Sequence, residues 1–334
     1  MNQNTLIAIV GPTASGKSEL AEKLAQELAG EIVSADSMQV YQGMDIGTAK
    51  VPLSRRGTTY HCLDLVAPNE EFNAFLYQKA ARKAFDDIWA QGKQPILCGG
   101  TGLYVRAAVE DFIGQNDPAP LSAPLSAPLS AAPEGRRQRL TAEAEELGPE
   151  AFHAKLAAID PESAALIHPN NVRRVVRAFE WLEQGSSYKE QASEFDTNAE
   201  IYPVIYLGLT LPREILYERI NARVTQMIEQ GLLEEVQGLL DKGYGQALSS
   251  QQAIGYKELI GVLSGEKPLE TAVEQMQQAT RHYAKRQLSW FKRYKSIHWL
   301  DAQQPTDDLL QKALAFAHQG VAKQAYSGGY GESQ

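Results

Sequence analysis

Residues Gly11-Pro12-Thr13-Ala14-Ser15-Gly16-Lys17-Ser18 match the pattern G-x-x-x-x-G-K-[ST], and they stand between an apolar run, Leu6 to Val10, and a helix-like run, Glu19 to Leu28. Strand, glycine turn and helix in that order make a phosphate cradle. The glycines let the backbone approach a polyanion, and successive N–H groups point at it from a helix N-terminus. Lys17 adds a point charge, and Ser18 offers a hydroxyl to a phosphate-bound magnesium. The stretch predicts an α/β fold: a P-loop NTPase-like parallel sheet core flanked by helices. It does not say whose phosphates are held.

Working outward, Glu31 to Ala35 reads as a second buried strand tipped by Asp36, the place where open α/β sheets bind ligands. Ser37 to Tyr41 and Gly43 to Lys50 form a polar, glycine-bearing loop that touches something. Phe72 to Trp89 has helical spacing closed by Gly92. Pro95 to Cys98 predicts a third strand running into Gly99-Gly100-Thr101-Gly102. ATP-hydrolysing P-loop proteins usually carry an aspartate there to hold magnesium. Here glycine and threonine stand instead, and N-K-x-D is missing too, which weakens a nucleotide reading. Val204 to Leu209 predicts another strand, followed by a helix with a buried stripe at 216, 220, 224, 227 and 228. Arg219 and Arg223 lie beside that stripe as a candidate phosphate clamp.

The composition changes at Asn116 to Ala132, where Ala-Pro-Leu-Ser occurs three times (119–130). A proline every fourth residue forbids a regular helix, so a semi-extended linker is expected. From Pro133 to about Glu194 the pattern is helical. It includes the basic run Arg136-Arg137-Gln138-Arg139, a helix opened by Asp160-Pro161, and one capped by Asn170-Asn171. The last carries Arg173, Arg174 and Arg177 on a cationic side, with Val172, Val175, Val176 and Phe179 opposite. The expected organisation is a discontinuous core at 1–115 and 201–318, a linker plus small all-helical insertion at 116–200, and a disordered tail at 319–334.

The net charge of −9 argues against a polyanionic partner only on average, because local clusters decide. Arg281 to Lys295 holds six Lys or Arg and no acid, interleaved with aromatic residues, a stripe suited to tracking a phosphate backbone and stacking bases. No run approaches a membrane span of roughly 18 apolar residues, and the start of the chain has no basic leader, so a cytoplasmic protein is expected. Cys62 and Cys98 form no C-x-x-C, which argues against a disulfide framework and a zinc site.

Taken together, GPTASGKS, SADSMQVYQGMDIGTAK, CGGTGLY, IHPNNVRRVVRA, LYERINARV, QAIGYKEL and RHYAKRQLSWF resemble, in order and spacing, the bacterial tRNA dimethylallyltransferases of the IPP transferase family. The resemblance runs from about Leu6 to Leu300 and departs in the Ala-Pro-Leu-Ser repeat and the glycine-rich end. It implies that the cradle, Gly11 to Ser18, holds the diphosphate of dimethylallyl diphosphate with magnesium at Ser18. It further implies Asp36 as base, Thr101 near the reacting centre, and Lys17 with Arg219 or Arg223 on the leaving group. Contacts to a tRNA anticodon stem-loop are implied for Asp36, Ser37, Met38, Gln39 and Thr101, and for Arg173, Arg174, Val175, Val176 and Arg177. Also implied are Ala253, Ile254, Gly255, Tyr256, Lys257 and Glu258, and Arg281, His282, Tyr283, Ala284, Lys285, Arg286, Gln287 and Leu288. A monomer is expected. The competing readings are a P-loop small-molecule kinase, with Arg136 to Arg139 as a lid over ATP, and a nucleotide-controlled RNA-binding switch.

Overall fold

Leu6–Val10 (β1) is apolar throughout and buried throughout, as a strand covered on both faces must be. It lies inside a six-stranded sheet with Gly30–Ser34 (β2), Tyr60–His61 (β3), Gln94–Gly99 (β4), Val204–Thr210 (β5) and His298–Asp301 (β6), in the order β3-β2-β4-β1-β5-β6. Every pairing is parallel. The computed structural model describes residues 5–110, 135–183, 185–190, 199–246 and 253–327. The Ala-Pro-Leu-Ser repeat and residues 328–334 lie outside the described residues.

The chain packs as two compact units: 1–72, 76–109 and 201–334 form one, and 73–75 with 110–200 the other. In the first, Lys17–Glu27 (α1), all but the first two residues of Ala74–Ala90 (α2), and Gly102–Val109 (α3) accompany the first four strands. Leu20 and Leu24 of α1 join Ile7, Ile9, Ile96, Leu207 and Leu209 in its core, with Cys98 among them. Each such aliphatic side chain contributes roughly 1.5–3 kcal/mol when fully buried. Both cysteines are free and buried.

The second unit contains Arg136–Leu147 (α4), Pro149–Ile159 (α5), Pro161–Ala165 (α6) and Val172–Leu182 (α7). Asp160 caps α6 by accepting the Ser163 N–H at 3.0 Å. Phe152, Leu156, Val175, Val176 and Phe179 form its core.

Back in the first unit follow Arg213–Glu229 (α8), Leu232–Asp241 (α9), Tyr256–Leu263 (α10), Leu269–Phe291 (α11) and Thr306–Ser327 (α12). Helix α12 passes residue 319, so 319–327 are helical and do not begin a disordered tail. Gly320 resembles a stop signal, but the Ala, Lys and Gln after it are good helix formers and carry the helix onward. No helix among the described residues is long and apolar enough to cross a membrane.

Candidate active site

The parallel sheet brings the ends of β1, β2 and β4 to one edge, and the turns that leave them carry the predicted chemistry. After β1 the chain makes the cradle. Gly11 has φ +140°, and a β-carbon on it would lie 2.6 Å from the Leu209 carbonyl oxygen, so only glycine fits. Gly16 caps α1 in the left-handed region at φ 92°. Ser15 Oγ donates to the Pro12 carbonyl at 2.8 Å and Lys17 Nζ to the same oxygen at 2.5 Å. Burial lowers the Lys17 ammonium to about 8, with Arg223 lowering it further and Cys98 and Asp36 opposing.

After β2 comes Asp36, whose Oδ1 accepts the Met38 N–H at 2.9 Å. Burial raises its carboxyl above the ordinary range, against the pull of the Met38 and Gln39 N–H groups, Lys17 and Arg223. Gln39 is held at both ends, accepting from Ser34 Oγ at 2.8 Å and donating to the Thr48 carbonyl at 3.1 Å.

After β4, Gly99 and Gly100 permit close approach: β-carbons there would come within 2.1 Å of the Ala35 carbonyl oxygen and of Gln287 Nε2, respectively. Thr101 Oγ1 accepts the Ser37 N–H at 3.1 Å, tying the third turn to the second. Gln287 of α11 then joins first to third, accepting the Thr13 N–H at 2.8 Å and donating to the Gly100 carbonyl at 3.0 Å. The Tyr283 hydroxyl hydrogen-bonds with Thr101 and Gln287, and burial raises its pKa.

These turns open on a cavity of about 220 Å³. Its polar wall comes from Thr13, Asp36, Ser37, Thr48, Arg223, Thr280, Tyr283 and Arg286. Its apolar wall comes from Met38, Ile220, Val224, Met227, Ala253, Ile254 and Met276. A carboxylate, two guanidinium groups and a pocket of hydrocarbon therefore share one space beside the phosphate cradle.

Not every expected residue reaches it. Arg219, one turn before Arg223, is exposed and donates to the Ala302 carbonyl at 3.2 Å, so of the two candidate clamps only Arg223 lines the cavity. Of 253–258, Ala253 and Ile254 line it, while Gly255, Tyr256 and Glu258 are buried in building the turn and Lys257 is exposed. The Gly255 N–H donates to Glu258 Oε2 at 2.7 Å.

On α11, Ala284 is core, and Leu288 packs against the core. Arg281 donates to Asn221 Oδ1 at 2.7 Å, which joins α11 to α8. His282, Lys285, Arg286, Ser289, Trp290 and Arg293 line a second, open depression on the outer side, where the Arg293 guanidinium lies 4.6 Å from the Trp290 ring.

The helical unit overturns the simple two-faced reading of α7. Arg177 is buried and pairs with Glu180 at 3.1 Å, while Arg137 meets the same carboxylate through Nε at 2.7 Å and Nη2 at 3.0 Å. Arg136 and Arg139 pair with Glu183, so the basic run is engaged inside its own unit and does not make a free lid. Val175 and Val176 are core, and Arg173 and Arg174 are the exposed residues of the stretch. Spacing could not distinguish these cases, because the glutamates that capture the arginines lie within the same helical pattern.

Two residues were not expected. Glu235 accepts backbone N–H groups of the 45–47 loop, and Lys50, buried, donates to the Tyr41 carbonyl at 2.6 Å, Asp45 at 2.8 Å and Asp64 at 2.5 Å. A lone lysine in a polar loop gives no local sign of three acceptors gathered around it.

Comparison with known proteins agrees with this geometry. The family model described as IPP transferase matches residues 39–294, and one described as isopentenyl transferase matches 4–56. The tRNA dimethylallyltransferase of Geobacillus thermodenitrificans is 44% identical over 301 residues, covering 90% of this chain and 91% of its own. The crystal structure of the full-length tRNA isopentenylpyrophosphate transferase of Bacillus halodurans is similar with a TM-score of 0.70 at 38% identity, over 97% of this chain and 98% of that one. A eukaryotic dimethylallyltransferase acting on tRNA, seen crystallographically, gives a TM-score of 0.75 at 30% identity, over 96% and 80%. A phosphate cradle facing an acid and a hydrocarbon wall, together with likeness along nearly the whole chain, leads to one statement: the chain belongs to the IPP transferase family.

Proposed function

We propose that this chain transfers a dimethylallyl group from dimethylallyl diphosphate to the exocyclic N6 amine of adenosine 37, next to the anticodon of tRNA, releasing pyrophosphate. The observation that carries the reading is the shared cavity: Asp36 and Arg223 face one space whose other wall is hydrocarbon, at the mouth of the cradle.

The N–H groups of the cradle and Lys17 bind the diphosphate. Attack by N6 on the allylic carbon forms the C–N bond as the C–O bond to the diphosphate breaks, and the electron pair leaves with pyrophosphate. Lys17 and Arg223 stabilise that charge, an effect worth about 3 kcal/mol of barrier for a well-placed donor. The proton released from N6 passes to Asp36, whose raised pKa makes it a stronger base than an ordinary carboxylate. Thr101 and Tyr283 hold the loop bearing Asp36 in place.

The residues present fit magnesium in one form. Ser18 is exposed at the first turn of α1, and among the described residues no group of three or more His, Cys, Asp or Glu could cage a metal. A single hydroxyl suits an ion that arrives with the diphosphate and keeps most of its waters. When bound it would neutralise charge on the departing pyrophosphate.

The target base leaves its stack to enter the cavity, which costs little in a single-stranded loop. His282, Lys285 and Arg286 on α11, Arg293 just after it, and Arg173 and Arg174 on α7 carry the phosphate contacts of the anticodon stem-loop. The enzyme acts as a cytoplasmic monomer in this reading. The deciding assay is transfer of labelled dimethylallyl from its diphosphate to unmodified tRNA. Label in tRNA is expected, and dimethylallyl diphosphate should bind better than ATP. No transfer together with ATP consumption would replace this reading with a kinase.

A further inference from the structure

Asp45, Ile46 and Gly47 turn three successive backbone N–H groups toward one side chain outside the cavity wall. Glu235 of α9 accepts from Asp45 at 2.9 Å and Ile46 at 2.8 Å through Oε2, and from Gly47 at 3.2 Å through Oε1. The Tyr256 hydroxyl donates to the same Oε1 at 2.6 Å. Gly47 lies so near this tyrosine that a β-carbon on it would fall 2.4 Å from ring atom Cε2. One carboxylate thus staples the 43–50 loop to the turn that begins α10. Both stapled segments supply cavity wall, Gly47 and Thr48 from the first and Ala253 and Ile254 from the second. The loop has two further fastenings: Gln39 donates to the Thr48 carbonyl at 3.1 Å, and Lys50 reaches Tyr41, Asp45 and Asp64. The cradle is fixed separately, by Gln287 on Thr13 and Gly100.

We propose that Glu235 is a positioning residue for the transfer reaction: its carboxylate sets the spacing between Gly47–Thr48 and Ala253–Ile254, and so orients the acceptor base over Asp36 without taking part in diphosphate binding. This rests on the prenyl-transfer reading above. Four charge-assisted hydrogen bonds on one carboxylate hold a loop more rigidly than neutral bonds would, and an acceptor misplaced by about 1 Å can cost about 10²-fold in rate.

The test uses the full chain with Glu235→Gln, which keeps the volume and one acceptor oxygen but turns an NH₂ group toward N–H donors. The expected result is a fall of about 30-fold in kcat/KM for tRNA, with the Kd for dimethylallyl diphosphate within about twofold of wild type. Amides 45–47 should exchange hydrogen faster. Tyr256→Phe, which removes one of the four bonds, should cost less, and the double variant should be no worse than Glu235→Gln alone. Unchanged kcat/KM for tRNA, or an equal loss of diphosphate affinity, overturns the proposal. If Glu235→Gln does not fold, Gly47→Ala keeps the carboxylate but forces the loop off Tyr256, and it must show the same split or the proposal fails. If the wild-type chain transfers no prenyl group, the functional reading fails by itself. Amide exchange in Glu235→Gln then decides the staple, and unchanged protection at 45–47 overturns it.

Discussion

Arginines of α7 and α8 look alike in sequence and differ in the fold. In α7, Arg177 is buried against Trp181, its guanidinium 4.8 Å from the ring, and shares the Glu180 carboxylate with Arg137. In α8, Arg223 lines a cavity, and among the described residues no ion pair closes on it. Burial lowers its pKa, and only the charge of Asp36 opposes that shift. The first arrangement closes its ion pairs inside the helical unit. The second has positive charge left over for a ligand. A cation is therefore a candidate for function when the fold buries it without satisfying it locally, whatever its spacing along a helix.

The strongest way to break this contrast is at the carboxylate facing Arg223. Asp36→Asn keeps the shape and removes the base, so kcat should fall about 10³-fold while tRNA affinity by filter binding stays near wild type. Undiminished turnover would leave the cavity without its base. Arg223→Gln should lower kcat by about 10² with an unchanged melting temperature. Glu180→Ala in the helical unit should do the opposite, costing about 3 kcal/mol of stability in urea titrations with kcat of the folded protein near wild type. If both substitutions changed the same quantity, the distinction between the two helices would be lost.

Acidity sharpens the contrast further. Lys17 holds its charge below about 8 and loses it as pH rises through that value, so kcat/KM for the diphosphate should fall on the alkaline side. Asp36 must be ionised, and its raised pKa places the acid limb above the ordinary carboxylate range. Lys17→Arg, always charged, should abolish the alkaline limb whatever it does to the rate. The smallest effect is expected along α11, where Lys285 lines the outer depression and Arg286 lines both that depression and the cavity. Lys285→Ala with Arg286→Ala should reduce the slope of log K against log salt by about 1.4 to 1.8, and an unchanged slope would take both residues off the phosphate path.

Much of the fold was legible because β1, β2, β4 and β5 are short apolar runs bounded by turn residues. Strands β3 and β6 were not. Tyr60–His61 is two residues long, and His298–Asp301 offers one buried side chain in four, so neither has a pattern to detect. At the site, the cradle, Asp36 and Arg223 were legible because local chemistry marks them: glycines at fixed spacing, an acid at a strand tip, an arginine beside a buried stripe; Thr101 was named through the family resemblance. Gln287 was named within a basic stretch, yet its bonds reach Thr13, 274 residues away, and Gly100, 187 away. Glu235 reads as one more surface glutamate in LLEEVQGLL until the 45–47 loop folds over it. What sequence withheld were contacts made only when distant segments meet.

The place of β1 has a consequence for how the molecule is made. It pairs with β4 on one side and β5 on the other, and the acceptor for the Thr13 N–H arrives 274 residues later. At a synthesis rate of about 5–20 residues per second, that interval is roughly 15–55 s. For the earlier part of it, until β5 emerges, a hydrophobic strand waits with one edge unpaired, while the whole helical unit emerges and has time to fold. The cradle is thus the first motif to be translated and among the last to be finished, and a nascent chain exposes its most association-prone edge for longest at the residues on which the chemistry depends.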